Sequence, residues 1–161
     1  MRPVVRALFM VLLSALAGGS AAQTAPTAAA PACPAAADLS PADLYGLWRL
    51  VLWPEGGDES TPVSTGAMLF GPHPEYPGSV RGRLRRSGPG ADLEAEVAGD
   101  VGDDGEFNLD ESADGKTMDA VWTGQPADCG RTVRGLRRPA TGRPTSSPAL
   151  QFLLRRISSD R

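Results

Sequence analysis

The sequence predicts an all-β fold, a small antiparallel up-and-down barrel of about eight strands, closed or flattened. Between Leu44 and Ile157 nearly every segment alternates apolar and polar residues. That period of two is the one at which successive side chains take opposite faces of a strand. Glycine, proline or Asp-Gly closes these segments, roughly every 8–15 residues, the turn spacing of a sandwich or barrel. The apolar residues mostly keep to one side, as in antiparallel strands with one wet face. Eight strands in about 120 residues can close on themselves, and such a barrel is filled by its own side chains or holds one small ligand.

Leu44 to Trp53 has bulky residues on both parities, as a well-covered strand does, with Gly46, Trp48, Leu50 and Leu52 as its inward set. Gly66 to Phe70 is a short strand stopped by Gly71-Pro72. Ser79 to Arg86 alternates most clearly: Val80, Gly82 and Leu84 on one side, Arg81, Arg83 and Arg85 on the other. Leu93, Ala95 and Val97 alternate with Glu94 and Glu96. A helix over Asp92 to Ala98 competes there, but Gly90 and Gly99 leave it only about two turns, so a strand is preferred. Phe107 and Leu109 alternate with Glu106, Asn108 and Asp110; Met118, Ala120 and Trp122 alternate with Asp119, Val121 and Thr123. Asp114-Gly115 between these two segments is a type I′ hairpin signal. Arg131 to Arg137 and Ala149 to Ile157 complete the set, joined by a long loop at Thr141 to Pro148. The inward positions are rich in Gly, Ala, Val and Leu, which would either leave room inside or let the barrel flatten.

Residues 1–22 read as a signal peptide. Arg2 and Arg6 precede an apolar run, Ala7 to Ala17, broken only by Ser14. At about 11 residues the run falls short of the roughly 20 needed to cross a bilayer. Ser20 and Ala22 suit a cleavage site, and no Cys stands at the cut, which argues against a lipid anchor. The mature protein is therefore expected to be secreted or periplasmic, with no membrane anchor. Residues 23–37, Ala, Pro and Thr around one Cys, cannot bury a core and read as a linker. The barrel domain then occupies residues 38–158. Cys33 and Cys129 are expected to form a disulfide in an oxidising compartment; the alternative is two buried thiols.

Of 16 basic residues, Arg2 and Arg6 leave with the signal and no acid does, so 14 bases face 19 acids, a charge of −5. That favours solubility and argues against nucleic-acid binding. Eleven acids and one base, Lys116, lie between Asp92 and Asp119, whereas Arg131 to Arg156 holds seven arginines and no acid. A further basic cluster is Arg81, Arg83, Arg85 and Arg86. Such strips bind anions or acidic partners in some proteins, but more commonly they are solvated faces beside neighbours of opposite charge, and that is the expectation here.

No catalytic constellation stands out. The only histidine, His73, lies in a proline-rich loop, and nucleophilic catalysis needs a base beside its nucleophile. One His and two paired Cys do not make a zinc site. Asp100, Asp104, Gly105, Asn108 and Glu111 fall on positions of a twelve-residue calcium loop, with Gly102 in place of an expected acid. Gly99 and Asp114-Gly115 deny that loop its flanking helices, so a β-turn beside an acidic strand is the simpler account. No pair of acids is singled out by spacing for glycoside hydrolysis, and no phosphate-binding loop or GxSxG motif occurs. The expectation is a protein that is not an enzyme, with no catalytic residues, metal or cofactor.

Gly46-x-Trp48 on the first strand, preceded by a short polar segment, resembles the first-strand signature of the calycin barrels, the lipocalins and avidins. The avidin-type plan is the nearer in length. The resemblance implies a barrel with one open end and accommodates a Cys33–Cys129 bond. The polar cluster by which avidins hold biotin has no counterpart here, so biotin binding does not carry over. Several bacterial inhibitors of secreted proteases share the small-barrel plan, and Gln23 to Ala37 echoes their blocking N-terminal segment. Trp48 and Trp122, with Trp53, are candidates for a ligand-pocket wall; as ordinary core they would plug the barrel floor. The function expected is an exported binding module for a small apolar ligand, or alternatively a protein-binding envelope factor or protease inhibitor acting on a secreted protein.

Overall fold

From Val80 to Arg85 the chain does what its alternation demands: Val80 and Leu84 are buried, and Arg81, Arg83 and Arg85 are exposed. A similar rhythm runs through most strands of the computed structural model, which describes residues 32–142 and 148–158. The strands are β1 (Gly46–Pro54), β2 (Ser64–Pro72), β3 (Val80–Ser87), β4 (Asp92–Val101), β5 (Phe107–Ser112), β6 (Ala120–Ala127), β7 (Thr132–Pro139) and β8 (Leu150–Arg156). Each pairs antiparallel with the next, and β8 returns to β1, so the sheet closes into an up-and-down barrel. Leu93 to Val97 lies in β4, not in a helix. Helical structure among the described residues is a 3-10 turn at Ala36–Asp38 and one α-turn, α1 (Pro41–Leu44). Residues 1–31, which carry the signal reading and most of the linker, and residues 143–147 of the long loop lie outside the described residues.

Three local expectations are corrected. Leu44 ends α1 and is not the start of the first strand. Ser40 donates from its main-chain N and its hydroxyl to the Asp43 carboxylate, at 2.8 and 2.7 Å, and Pro41 is preorganised for a first helical position. Asp114-Gly115 does not form a two-residue hairpin, because residues 113–119 intervene between β5 and β6. The Asp114 carboxylate there accepts the main-chain N–H groups of Lys116 and Thr117 at 2.8 and 2.7 Å, folding the loop on itself. Met118 belongs to that loop and is exposed; the strand begins at Ala120.

One end of the barrel is a closed floor. The Trp48 indole N–H donates to the Leu44 carbonyl at 2.8 Å, locking α1 against the first strand. Arg156 at the end of β8 donates to the carbonyls of Asp43 and Tyr45, at 2.7 and 2.6 Å. Cys33 and Cys129 pair, with Cα atoms 4.8 Å apart, and so tie the lead-in to the β6–β7 turn. That turn needs three left-handed residues in succession, Asp128 (φ 53°), Cys129 (φ 58°) and Gly130 (φ 73°). Leu39 packs on it, and a Cβ at Gly130 would lie 2.9 Å from Leu39 Cδ2.

The barrel axis is filled. Trp48 meets Phe70, Phe70 meets Phe107, and Phe107 meets Phe152, with ring centroids 6.3, 6.4 and 6.4 Å apart. Trp122 continues the series against Phe152 at 5.1 Å. These rings come from β1, β2, β5, β8 and β6, so they bridge opposite walls. The inward glycines make space for them: a Cβ at Gly82 would lie 2.9 Å from Phe70, and one at Gly124 2.9 Å from Phe152. Small inward residues therefore neither hollow the barrel nor flatten it; aromatic rings from nearby strands take up their room.

Candidate functional site

The end opposite the floor, the mouth, is where β1, β3, β5 and β7 finish. On three of these strands the inward parity ends in a charge. Arg86 follows Val80, Gly82 and Leu84 on β3; Glu111 follows Phe107 and Leu109 on β5; Arg137 follows Val133 and Gly135 on β7. An inward charge costs several kcal/mol in effective desolvation unless it is paired and hydrogen-bonded. Glu111 and Arg137 meet that condition. Arg137 Nε donates to Glu111 Oε2 at 2.7 Å and its Nη2 to Oε1 at 2.9 Å, a two-point grip. The Trp122 indole N–H donates to the same Oε2 at 2.9 Å, and Arg137 also lies over the Trp122 ring, 5.7 Å from its centroid.

Arg86 is placed differently. One of its terminal nitrogens comes within 3.8 Å of Glu111 Oε1, and its Nε is buried with no hydrogen-bond partner. The three side chains are 12%, 7% and 8% exposed for Arg86, Glu111 and Arg137. Two cations and one carboxylate leave a local charge of +1. Burial lowers the Arg86 pKa; the charge and proximity of the Glu111 carboxylate oppose that, and the like charge of Arg137 adds to it. Arginine remains protonated in proteins, so the positive charge persists.

The two candidate tryptophans separate. Trp48 is at the floor, wholly buried, with its N–H satisfied by Leu44. Trp122 is equally buried but stands at the mouth level, where its N–H serves Glu111. Trp53 faces outward, bonded to Gln151 at 2.5 Å and covered by Arg134, whose guanidinium is 5.9 Å from the ring centroid. His73 Nδ1 accepts the N–H groups of Glu75 and Tyr76 and so organises its own loop. The stretch Asp100 to Glu111 spans the end of β4, a tight turn and β5, and among the described residues no group of three metal-ligating side chains forms.

Much of the basic patterning is solvated facing, as expected. Arg81 pairs with Glu96, Arg85 with Asp92, and Arg134 with Glu59. In the sequence the inward members Arg86 and Arg137 are hidden among these strips. Their parity is the signal that separates them. Across the outer face of β1–β4 runs a second surface feature, a groove of about 420 Å³ lined by Leu47, Ala67, Leu69, Arg83 and Glu94. Leu47 and Leu69 are direct cross-strand partners, 43% and 55% exposed.

The disulfide suggests a non-reducing, exported compartment. Among the described residues no helix is long and apolar enough to cross a membrane. No family model, curated protein or solved structure matches the chain.

Proposed function

We propose that this protein is a binding module, secreted or periplasmic, that takes a small ligand at the mouth of its barrel and not along the axis. The carrying observation is the buried Arg86–Glu111–Arg137 group above an interior already filled by aromatic rings. A lumen packed with rings has no depth for a long apolar chain, so the ligand is short or presents only its end. The calycin-like plan supports the reading: an antiparallel closed barrel, Gly46-x-Trp48 on β1 and a disulfide at the floor. A small closed barrel is also consistent with binding without chemistry. Native mass spectrometry of the mature protein from its own host tests the proposal. A bound small molecule at one per barrel is expected, and bare protein across growth conditions would count against it.

A second reading, a protein-binding envelope factor or protease inhibitor, is favoured by the exposed Leu47–Leu69 pair beside its groove. Replacing both leucines by lysine should then weaken inhibition of a secreted protease. Full inhibition by that variant dismisses this face as the contact.

A further inference from the structure

Arg86 shares Glu111 with a stronger claimant. The carboxylate's Oε2 accepts Arg137 and Trp122 and its Oε1 accepts Arg137, while Arg86 is left an ion pair at 3.8 Å to Oε1. Arg86 is thus a surplus cation turned inward, its Nε enclosed and unbonded, and it is the most exposed of the three charged side chains. A guanidinium held only by a shared carboxylate 3.8 Å away, with a second cation behind it, suits the planar oxygens of an anion at its terminal nitrogens.

We propose that Arg86 is an oxyanion-recognition residue, gripping the carboxylate, phosphate or sulfate end of a small anionic ligand at the barrel mouth. Arg137 and Glu111 serve as its support: the pair holds the second positive charge in place and keeps the Trp122 indole fixed beside it. The inference rests on the mouth-binding reading and adds the charge of the ligand. A headgroup and a free inorganic anion share this chemistry, so the probes must separate them.

The test titrates the mature, disulfide-bonded protein with sodium hexanoate, hexan-1-ol and sodium phosphate at fixed ionic strength in chloride. Tryptophan fluorescence and the thermal midpoint are followed, since the Trp122 indole is bonded to Glu111. Hexanoate should bind and hexan-1-ol should not. Phosphate binding as tight as hexanoate binding identifies a free oxyanion as sufficient; tighter hexanoate binding identifies an anionic head with an apolar tail. Arg86→Gln should weaken binding about tenfold or more, the scale of losing a hydrogen bond to a charged group, and Arg86→Lys should fall between. Equal binding of hexanoate and hexan-1-ol, unaffected by Arg86→Gln, overturns the oxyanion assignment while leaving mouth binding intact. Binding of no probe beyond chloride also overturns it, and the mass spectrum of host-purified protein then decides mouth binding separately. If Arg86→Gln does not fold, the wild-type preference and the Arg86→Lys affinity decide the matter.

Discussion

Arg137 on β7 and Glu111 on β5 meet from either side of β6 at the barrel mouth with two hydrogen bonds, at 2.7 and 2.9 Å, and neither is more than a tenth exposed. Removing one partner of such a pair leaves a buried charge uncompensated. Glu111→Gln leaves Arg137 and Arg86 as neighbouring cations and should cost about 3–5 kcal/mol. A paired Glu111→Met, Arg137→Met replacement should recover part of that loss. Urea midpoints at unchanged slope check both values; a neutral Glu111→Gln would mean that the cluster carries no stability.

Trp48→Phe removes the indole N–H that satisfies the Leu44 carbonyl and opens space against Phe70. The expected loss is about 2–4 kcal/mol, from the cavity and the orphaned acceptor together. Amide exchange near Leu44 and Tyr45 should quicken in that variant. Unchanged protection there would show that α1 is held by Arg156 alone.

The Cys33–Cys129 bond closes a loop of sequence separation 96. In the chain-entropy account a loop of that length contributes roughly 4–5 kcal/mol. Cys33→Ser with Cys129→Ser should lower the urea midpoint accordingly, and reductant should then have no further effect. A variant as stable as the oxidised wild type would put the bond's worth near zero.

Asp110 and Asp100 lie on the outer side of neighbouring strands, and desolvation, followed by the Asp100 charge, raises the Asp110 pKa above its usual value of 3.8. The folded state therefore holds this proton more tightly than the unfolded chain does. The associated stability is present below pH about 3.8 and is lost as pH rises through the higher folded value. Asp110→Asn should stabilise the barrel at neutral pH. Denaturation curves at several pH values would show the difference between variant and wild type shrinking toward acid; a constant difference would point to some other cause.

Most of the barrel was legible because its strands are one-sided. Val80, Gly82 and Leu84 set against Arg81, Arg83 and Arg85 leave no other conformation that buries one set and wets the other. What eluded the sequence was local or three-dimensional. Ser40-Pro41-Ala42-Asp43 is a helix start readable in principle, yet the apolar run beginning at Leu44 masks it. The filling of the axis was not legible, because Phe70 and Phe107 are far apart in the chain and meet only after closure. Arg86, Glu111 and Arg137 sit at strand ends, where charge normally signals solvent, and only their parity betrays that they point inward.

Every strand from β1 to β8 has a bonded neighbour on both sides. The ladder consequently offers no free row of main-chain donors and acceptors, so an extended peptide cannot join the sheet as a ninth member. Any contact with another molecule would have to be made by side chains and loops, which can change by substitution while the sheet stays as it is.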